Sequence, residues 1–216
     1  ALLTDYGDFV DVVKLGIGSA YITPRLKEKV SLYKSAGMKL YFGGTLFEKF
    51  CHQDSLDAYK RYLDSFGIDC LEISSGTIDL SLGTSLEILK DFKQNFDCFC
   101  EVGTKDKTAD VSADEWIQWL QTFLNEGAKY VIAEGRDSGT AGIFHPSGEL
   151  RKDLINMIVS HVDPKRLIFE APTTSSQMHL INTVGADVNL GNINPRDTLT
   201  LESQRRGLRY ETFFIE

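Results

Sequence analysis

Short apolar, β-branched segments alternate with longer amphipathic segments along the whole chain, and this alternation constrains the fold more than any other feature. The short segments are apolar nearly throughout, which is typical of a parallel sheet covered by helices. No GxGxxG follows the first of them and the chain has no Walker motif, so a nucleotide-binding open sheet is disfavoured. The predicted strands are Phe9–Leu15, Lys39–Phe42, Cys70–Ile73, Phe96–Val102, Tyr130–Ala133, Leu167–Phe169 and Val188–Leu190.

Helical periodicity fills the segments between the strands, and two of these segments carry boundary signals. Thr23-Pro24 reads as an N-cap followed by proline at the first helical position, and Gly37 ends that helix. Ser112 and Glu115 have the spacing of a capping box. The predicted helices are Pro24–Ala36, Leu46–Phe66, Ser81–Asn95, Ser112–Asn125, Glu149–His161, Ser176–Val184 and Pro195–Leu208.

Glutamates stand where four of the predicted strands end, at Glu72, Glu101, Glu134 and Glu170, spaced by roughly one βα unit of about 30 residues. A closed barrel places its catalytic groups at the C-terminal ends of many strands. We therefore predict an α/β fold, a (β/α)8 TIM barrel built as a single domain by residues 1–216. Residues 1–7 read as the tail of a helix and seven strands are predicted, so we expect the first barrel strand to be missing from this chain.

The composition limits the possible partners. The net charge of −8 argues against nucleic acid as a partner, whereas 23 Lys and Arg leave room for a basic pocket that binds a small anion. The four cysteines are expected to be buried, reduced thiols. No apolar stretch approaches the roughly 18 residues of a membrane span, and the first residues do not read as a signal peptide. We expect a cytoplasmic protein.

The strand ends also indicate the chemistry of the site. Carboxylates so close to apolar strands are costly to bury unless they are paired or bind a cation. Several of them at one barrel mouth suit Mg²⁺, so the four glutamates are the predicted metal ligands. The alternative is that some of them form ion pairs with Lys14, Lys105 and Arg136. The histidines show no HxH or HExxH spacing, which disfavours zinc, and Ser138 has no histidine in a plausible partner segment, which disfavours serine hydrolysis.

Eight segments, in order along the chain, resemble the phosphosulfolactate synthase family. The chain departs from that family at three positions within them: Ile17, Ser19 and Asp137 stand where the family usually has Trp, Thr and Glu. The family's Asp-Lys-Gly motif on the first strand is absent, in keeping with the missing strand. The segments are residues 6–19, 43–48, 71–76, 101–105, 134–139, 168–172, 188–193 and 201–209.

The resemblance implies a lyase in which sulfite adds to phosphoenolpyruvate, with Mg²⁺ as cofactor, to give (2R)-phospho-3-sulfolactate. It implies that Lys105 protonates the enolate and that Lys14 and Arg136 bind sulfite or carboxylate. It implies a phosphate near the last two strands, where barrels often hold phosphates. The expected substrate-binding residues are Gly43, Gly44, Thr45, Ser138, Gly191 and Asn192.

Three questions stay open at this point. Another barrel lyase acting on a phosphorylated enol, such as an aldolase, and a non-catalytic, stress-related protein of the same fold are both alternatives to the implied activity. The pathway served is either coenzyme M biosynthesis or the formation of free sulfolactate. The resemblance also implies a homo-oligomer and suggests a trimer.

Overall fold

A computed structural model describes residues 2–103, 111–135 and 142–215 of the chain. These residues divide into two compact units. The first unit contains residues 3–101 and 125–129, and the second contains Leu2 and the described residues of 102–124 and 130–215.

Helices and strands alternate in both halves of the chain. The elements up to residue 102 are α1 (Leu2–Asp5), a 3-10 turn (Gly7–Phe9), β1 (Val12–Leu15), α2 (Ser19–Ile22), α3 (Leu26–Ser35), β2 (Lys39–Phe42), α4 (Gly44–His52), α5 (Leu56–Ser65), β3 (Cys70–Ile73), α6 (Leu82–Phe92) and β4 (Asp97–Val102). The later helices and strands are α7 (Ala113–Asn125), β5 (Tyr130–Ala133), α8 (Lys152–His161), β6 (Leu167–Glu170), α9 (Thr174–Val184), β7 (Leu190–Gly191) and α10 (Thr198–Arg205). Three further 3-10 turns cover Pro164–Arg166, Pro195–Asp197 and Tyr210–Thr212.

The strands are parallel to their neighbours within each unit. In the first unit, β1 pairs with β2, β2 with β3, and β3 with β4. In the second unit, β5 pairs with β6 and β6 with β7, with Glu170 opposite Gly191. Because parallel strands run the same way, the residues that follow β1, β2 and β3 lie at the same edge. The chain therefore has the predicted α/β fold, with seven parallel strands in the part that the structure describes.

An aromatic cluster forms the core between α4, α5 and α6 in the first unit. Phe47, Tyr59 and Phe92 are fully buried. The ring centroid of Tyr59 lies 6.1 Å from that of Phe47 and 6.4 Å from that of Phe92. Burying an aromatic side chain of this size contributes about 1.5–3 kcal/mol. This packing fixes α4 beside β3, where the helix contacts the site described below.

Apolar faces of the helices supply the core of the second unit as well. Trp116 and Leu120 on α7, Ile155 on α8 and Leu180 on α9 are all fully buried. At the start of α7 the capping box is present as predicted. The Ser112 backbone N–H donates to Glu115 Oε2 over 3.1 Å, and the Glu115 N–H donates to Ser112 Oγ over 3.3 Å. Hydrogen bonds from the side chain and backbone of Ser112 lower the pKa of Glu115.

Several predicted boundaries are wrong, among them the starts of the helices predicted from Glu149 and Pro195, which begin at Lys152 and Thr198. The helix predicted for residues 46–66 is two helices, α4 and α5, because Asp54 between them has a left-handed φ of 49°. The helix predicted from Pro24 begins at Leu26, with Arg25 as its N-cap. The strand predicted from Phe9 begins at Val12, since Phe9 ends a 3-10 turn. The prediction that residues 1–7 are helical in part is confirmed by α1. No helix in the described part of the chain is long and apolar enough to span a membrane.

Candidate functional site

Lys14, on β1, forms an ion pair with Glu72 at the corresponding end of β3. Its Nζ lies 2.8 Å from Glu72 Oε2, and the Glu72 side chain is 2% exposed whereas that of Lys14 is 22% exposed. Glu72 Oε1 accepts a hydrogen bond from the Gly44 backbone N–H over 2.8 Å. Oε1 thus has a hydrogen-bond donor, whereas Oε2 has no hydrogen-bond partner among the described residues and is compensated only by the charge of Lys14. Of the two roles predicted for Glu72, ion pairing is the one seen within this unit.

Gly43 and Gly44 make this ion pair sterically possible. A Cβ on Gly43 would lie 2.9 Å from Lys14 Cε, and a Cβ on Gly44 would lie 2.1 Å from Ser74 Oγ and 2.5 Å from Glu72 Oε1. Neither glycine has a positive φ, so close packing rather than backbone conformation requires them. Thr45, in the first turn of α4, is exposed. The prediction that these three residues bind substrate stays a prediction, and the structure adds a packing role for the two glycines.

Tyr59 lies close enough to Glu72 to respond to its charge. Its hydroxyl is buried and has no hydrogen-bond partner in the described part of the chain. Burial raises the pKa of Tyr59 well above its usual range, and the negative charge of Glu72 raises it further. The phenol therefore stays protonated beneath the ion pair.

Glu48 is a residue of this region that the sequence reasoning missed. It lies on α4, one turn after Gly44, and it is 4% exposed. Its carboxylate accepts hydrogen bonds from the chain that follows β3, between residues 74 and 78. A signal was present in the sequence, because a charged residue stands next to Leu46 and Phe47 on the apolar face of an amphipathic helix.

Glu134 and its neighbouring glycines form a tightly packed strand end in the second unit. Glu134 is 9% exposed, and its backbone N–H donates to Val102 O over 2.9 Å. A Cβ on Gly103 would lie 1.9 Å from Glu134 Oε2. Gly142 has a left-handed φ of 68°, and a Cβ there would lie 2.0 Å from Glu134 O. Both glycines are needed for the backbone to pass this glutamate.

Glu170, at the end of β6, is held by donors on both of its carboxylate oxygens. The Gly135 backbone N–H donates to Oε2 over 3.1 Å, and the side-chain amide of Asn192 donates to Oε1 over 2.6 Å. Asn192 has a left-handed φ of 58°, a conformation that Asn tolerates better than most residues. One amide hydrogen of Asn192 is therefore donated to Glu170. Gly191 lies opposite Glu170 in the strand register.

The remaining predicted site residues fall in two groups. Glu101 lies on β4 and is partly exposed. Lys105, Arg136 and Ser138 lie outside the residues that the structure describes. Their predicted roles stay predictions.

The surroundings of the four glutamates bear on the predicted magnesium site. Carboxylate oxygens are the donors that Mg²⁺ prefers, and the chain has them at four strand ends. Across residues 2–103, 111–135 and 142–215, however, no group of three or more His, Cys, Asp or Glu side chains is arranged to hold a metal ion. Both oxygens of Glu170 and Oε1 of Glu72 accept hydrogen bonds from the protein, whereas Glu72 Oε2 has the ion pair with Lys14 and no hydrogen bond among the described residues. The metal assignment of the four glutamates stays a prediction.

The four cysteines are free, and the prediction that they are buried holds for three of them and is wrong for Cys51. Cys70, Cys98 and Cys100 are buried and Cys51 is partly exposed. Burial raises the pKa of Cys70 to about 12, with a further contribution from Asp69. Burial, followed by the charge of Asp97, raises the pKa of Cys98 to about 12. Thiols with such values are not nucleophiles near neutral pH.

Comparison with known proteins identifies relatives along nearly the whole chain. The family model described as (2R)-phospho-3-sulfolactate synthase (ComA) matches residues 1–211. The phosphosulfolactate synthase of Bacillus subtilis is 39% identical over 211 residues, covering 96% of this chain and 84% of the relative. That of Methanocaldococcus jannaschii is 38% identical over 213 residues, covering 96% and 85%. That of Methanothermobacter thermautotrophicus is 36% identical over 211 residues, covering 95% and 82%.

A solved structure supports the fold alone. The carboxyl transferase domain of Rhizobium etli pyruvate carboxylase matches with a TM-score of 0.54 and 12% identity. The match covers 84% of this chain and 32% of that structure, so the chain spans about a third of its length. The likeness agrees with an α/β fold.

Proposed function

The chain belongs to the phosphosulfolactate synthase family of enzymes, and we propose that it catalyses the addition of sulfite to phosphoenolpyruvate to give (2R)-phospho-3-sulfolactate. Besides membership of the family, the structural observation that supports this activity is the ion pair between Lys14 and Glu72. It presents a cation at the end of a parallel strand, held by a buried carboxylate and still 22% exposed. A site that brings two anions together needs such a cation.

The proposed reaction is balanced by one proton. The sulfur lone pair of sulfite forms a bond to the methylene carbon of phosphoenolpyruvate, and the electrons of the C=C bond move onto the carboxylate as an enolate. A proton delivered to the central carbon then gives the product. Negative charge accumulates in the first step, so preorganised cations and hydrogen-bond donors lower its barrier.

Lys14 is proposed to bind the incoming sulfite or the substrate carboxylate. Glu72 restricts its ammonium to one position, and Gly43 gives its stem the space to reach that position. A cation positioned before the reaction needs no reorganisation as the charge develops. Lys105 is proposed as the acid that protonates the enolate and Arg136 as a second anion-binding group. Both proposals rest on the sequence.

The second unit is proposed to hold the phosphate of phosphoenolpyruvate at Gly191 and Asn192. Support comes from the side-chain amide of Asn192, which is fixed by its hydrogen bond to Glu170. An amide group has two hydrogens, so one is left for a phosphate oxygen. Ser138 is a further proposed contact, on the basis of the sequence.

A requirement for Mg²⁺ is proposed from the resemblance, with Glu72, Glu101, Glu134 and Glu170 as the candidate ligands. The complete (β/α)8 barrel, the homo-oligomer, the cytoplasmic location and the absence of a nucleic-acid partner are likewise proposals. The parallel strands in chain order support the barrel. The free thiols support a reducing compartment.

One assay tests the proposed activity. The full-length protein is incubated with phosphoenolpyruvate, sulfite and Mg²⁺, and the product is followed by phosphorus NMR and mass spectrometry. We expect phosphosulfolactate only when both substrates are present, and a loss of turnover with EDTA that added Mg²⁺ restores. If a carbonyl substrate instead becomes trapped on a lysine by borohydride, the protein is an aldolase-type lyase. Absence of turnover with any phosphorylated enol would favour a non-catalytic protein.

A further inference from the structure

Helix α4 contacts the end of β3 and the loop behind it through two groups that are one helical turn apart. The Gly44 backbone N–H donates to Glu72 Oε1 over 2.8 Å. Four residues later, the carboxylate of Glu48 receives hydrogen bonds from the chain that follows β3. One rigid helix thus holds both the glutamate of the ion pair and the loop beside it.

Both carboxylate oxygens of Glu48 accept two hydrogen bonds each, although no charged partner lies among the described residues. Oε1 accepts from Ser74 Oγ over 2.5 Å and from the Gly76 N–H over 2.9 Å. Oε2 accepts from the N–H groups of Thr77 and Ile78 over 2.5 and 3.1 Å. Three successive backbone N–H groups converge on one carboxylate, the arrangement with which protein backbones bind anions. All these partners in the described part of the chain belong to residues 74–78.

This arrangement determines the path of the loop. A buried carboxylate needs its hydrogen bonds, because each unmet one costs about 1–3 kcal/mol or more for a charged group. The converse also holds, because these three N–H groups have Glu48 as their acceptor in the described part of the chain. The loop is therefore fixed by a side chain from another element rather than by its own sequence.

The part of the loop that Glu48 fixes is small, polar and open. Ser75 is partly exposed, and Gly76 and Thr77 are exposed. The loop leaves β3 directly after Glu72 and Ile73, so it begins at the strand end where Lys14 is held. Two hydroxyl groups are thus presented at the same strand end as a fixed ammonium. Hydroxyls at the same strand end as a cation are suited to binding an oxyanion.

We propose that residues 75–77 bind an oxyanion of the substrates through the hydroxyls of Ser75 and Thr77, and that Glu48 is the positioning residue that shapes this loop. The proposal rests on the function proposed above. The oxyanion belongs either to sulfite or to phosphoenolpyruvate, which share this chemistry. Glu48 does not touch the substrate, since its two oxygens are taken by the loop.

The test compares Glu48→Gln with Glu87→Gln, which changes an exposed glutamate on α6 in the same unit. A carboxamide keeps the shape but turns an NH2 group toward N–H donors, so two of the four hydrogen bonds are lost. We expect the KM for one substrate to rise about tenfold while kcat changes little, as for the loss of one charge-assisted contact. Amide hydrogen exchange at residues 76–78 should accelerate at least about tenfold. Glu87→Gln should change neither.

The two substrates are varied separately, so the KM that rises identifies the source of the oxyanion. Ser75→Ala and Thr77→Val remove the hydroxyls without touching Glu48, and they should raise the same KM. They also keep the test valid if Glu48→Gln fails to fold. Faster exchange in Glu48→Gln with both KM values unchanged would overturn the proposal, and so would unchanged KM values in both hydroxyl variants.

Failure of the proposed activity is distinguishable from failure of this inference. If the wild-type protein shows no turnover, the amide chemical shifts of residues 75–78 are followed by NMR while phosphoenolpyruvate or sulfite is added. Shifts at these amides that saturate in the wild type and weaken about tenfold in Ser75→Ala would support the site independently of the reaction. No shift at saturating concentrations of either anion would overturn it.

Discussion

Lys14 Nζ lies 2.8 Å from Glu72 Oε2, and this pair joins the ends of two strands that are not direct neighbours in the sheet. β2 lies between them, and it is followed by Gly43 and Gly44, where a Cβ would collide with Lys14, Glu72 or Ser74. The ion pair therefore passes over the two glycines that follow β2. The ion pair between Lys14 and Glu72 therefore depends on the two glycines.

Lys14→Met should damage both stability and activity, for separable reasons. It leaves Glu72 buried without its cation, and we expect a loss of about 1–3 kcal/mol in the free energy of unfolding. It also removes a cation from the developing enolate, and kcat/KM should fall by about 10²–10³-fold.

The double variant Lys14→Met with Glu72→Gln separates the two effects. Removing both charges should recover most of the lost stability, because no buried charge is left unpaired. Activity should not recover. Urea unfolding and steady-state kinetics on the two variants check this, and recovery of activity in the double variant would exclude a direct role for Lys14.

Gly44→Ala tests the close packing at the end of β2. The new Cβ would lie 2.1 Å from Ser74 Oγ and 2.5 Å from Glu72 Oε1, so both side chains must move. We expect a destabilisation of about 1–3 kcal/mol in urea unfolding. Gly83→Ala on α6 is the matched control. Its Cβ would meet Ser81 Oγ at an ordinary 3.7 Å, and alanine should stabilise that helix slightly. Equal effects of the two substitutions would contradict the geometry.

The strands could be predicted from the sequence because a strand buried on both faces of a sheet needs a continuous apolar run, and such a run is visible in the local sequence. Glu72 was found in the same way, as a charge at the end of such a run. The glycines after β2 were expected to bind substrate. In the structure they also accommodate Lys14, Glu72 and Ser74.

Glu48 and the break between α4 and α5 were missed for a different reason. The partners of Glu48 are 26–30 residues away in sequence, and the sequence of residues 74–78 does not indicate that they contact this glutamate. The break at Asp54 has no Gly or Pro to mark it, only a residue that tolerates a left-handed φ. The hydrogen bonds of Glu48 and the break between α4 and α5 depend on contacts between elements, and the periodicity within one helix does not indicate such contacts.

Lys105→Ala tests the proposed general acid. If Lys105 delivers the proton, kcat should fall by about 10²–10⁴-fold while the free energy of unfolding stays unchanged. Lys105→Arg should not restore turnover, because a guanidinium keeps its charge but does not release its proton near neutral pH. Near-normal turnover in Lys105→Ala would remove this residue from the mechanism, and Lys14 would become the next candidate.

The buried cysteines predict a loss of stability at alkaline pH. The pKa of Cys70 and of Cys98 is raised to about 12 by burial, whereas an unfolded thiol titrates near about 8.5. Between these values the unfolded chain ionises and the folded chain does not, so deprotonation favours unfolding. The contribution is complete below about pH 8.5 and is lost as pH rises toward 12. Urea unfolding should therefore show stability falling over this range, and less steeply in a Cys98→Ala variant.

Ile17→Gly should make the protein more stable, which few substitutions do. Ile17 has a φ of 48° and is 82% exposed, so a β-branched residue adopts a left-handed conformation without burying its side chain in return. Glycine removes that strain but adds freedom to the unfolded chain, and we expect a net gain of about 0.5–1 kcal/mol and a Tm higher by about 1–4 °C. Asp54→Gly is the matched control, with a φ of 49° at a residue type that tolerates it, and it should change the Tm little. Ile17 follows Lys14 by three residues and therefore lies at the same strand end. An unchanged or lower Tm in Ile17→Gly would contradict the prediction. It would mean that contacts of the Ile17 side chain outweigh the backbone strain.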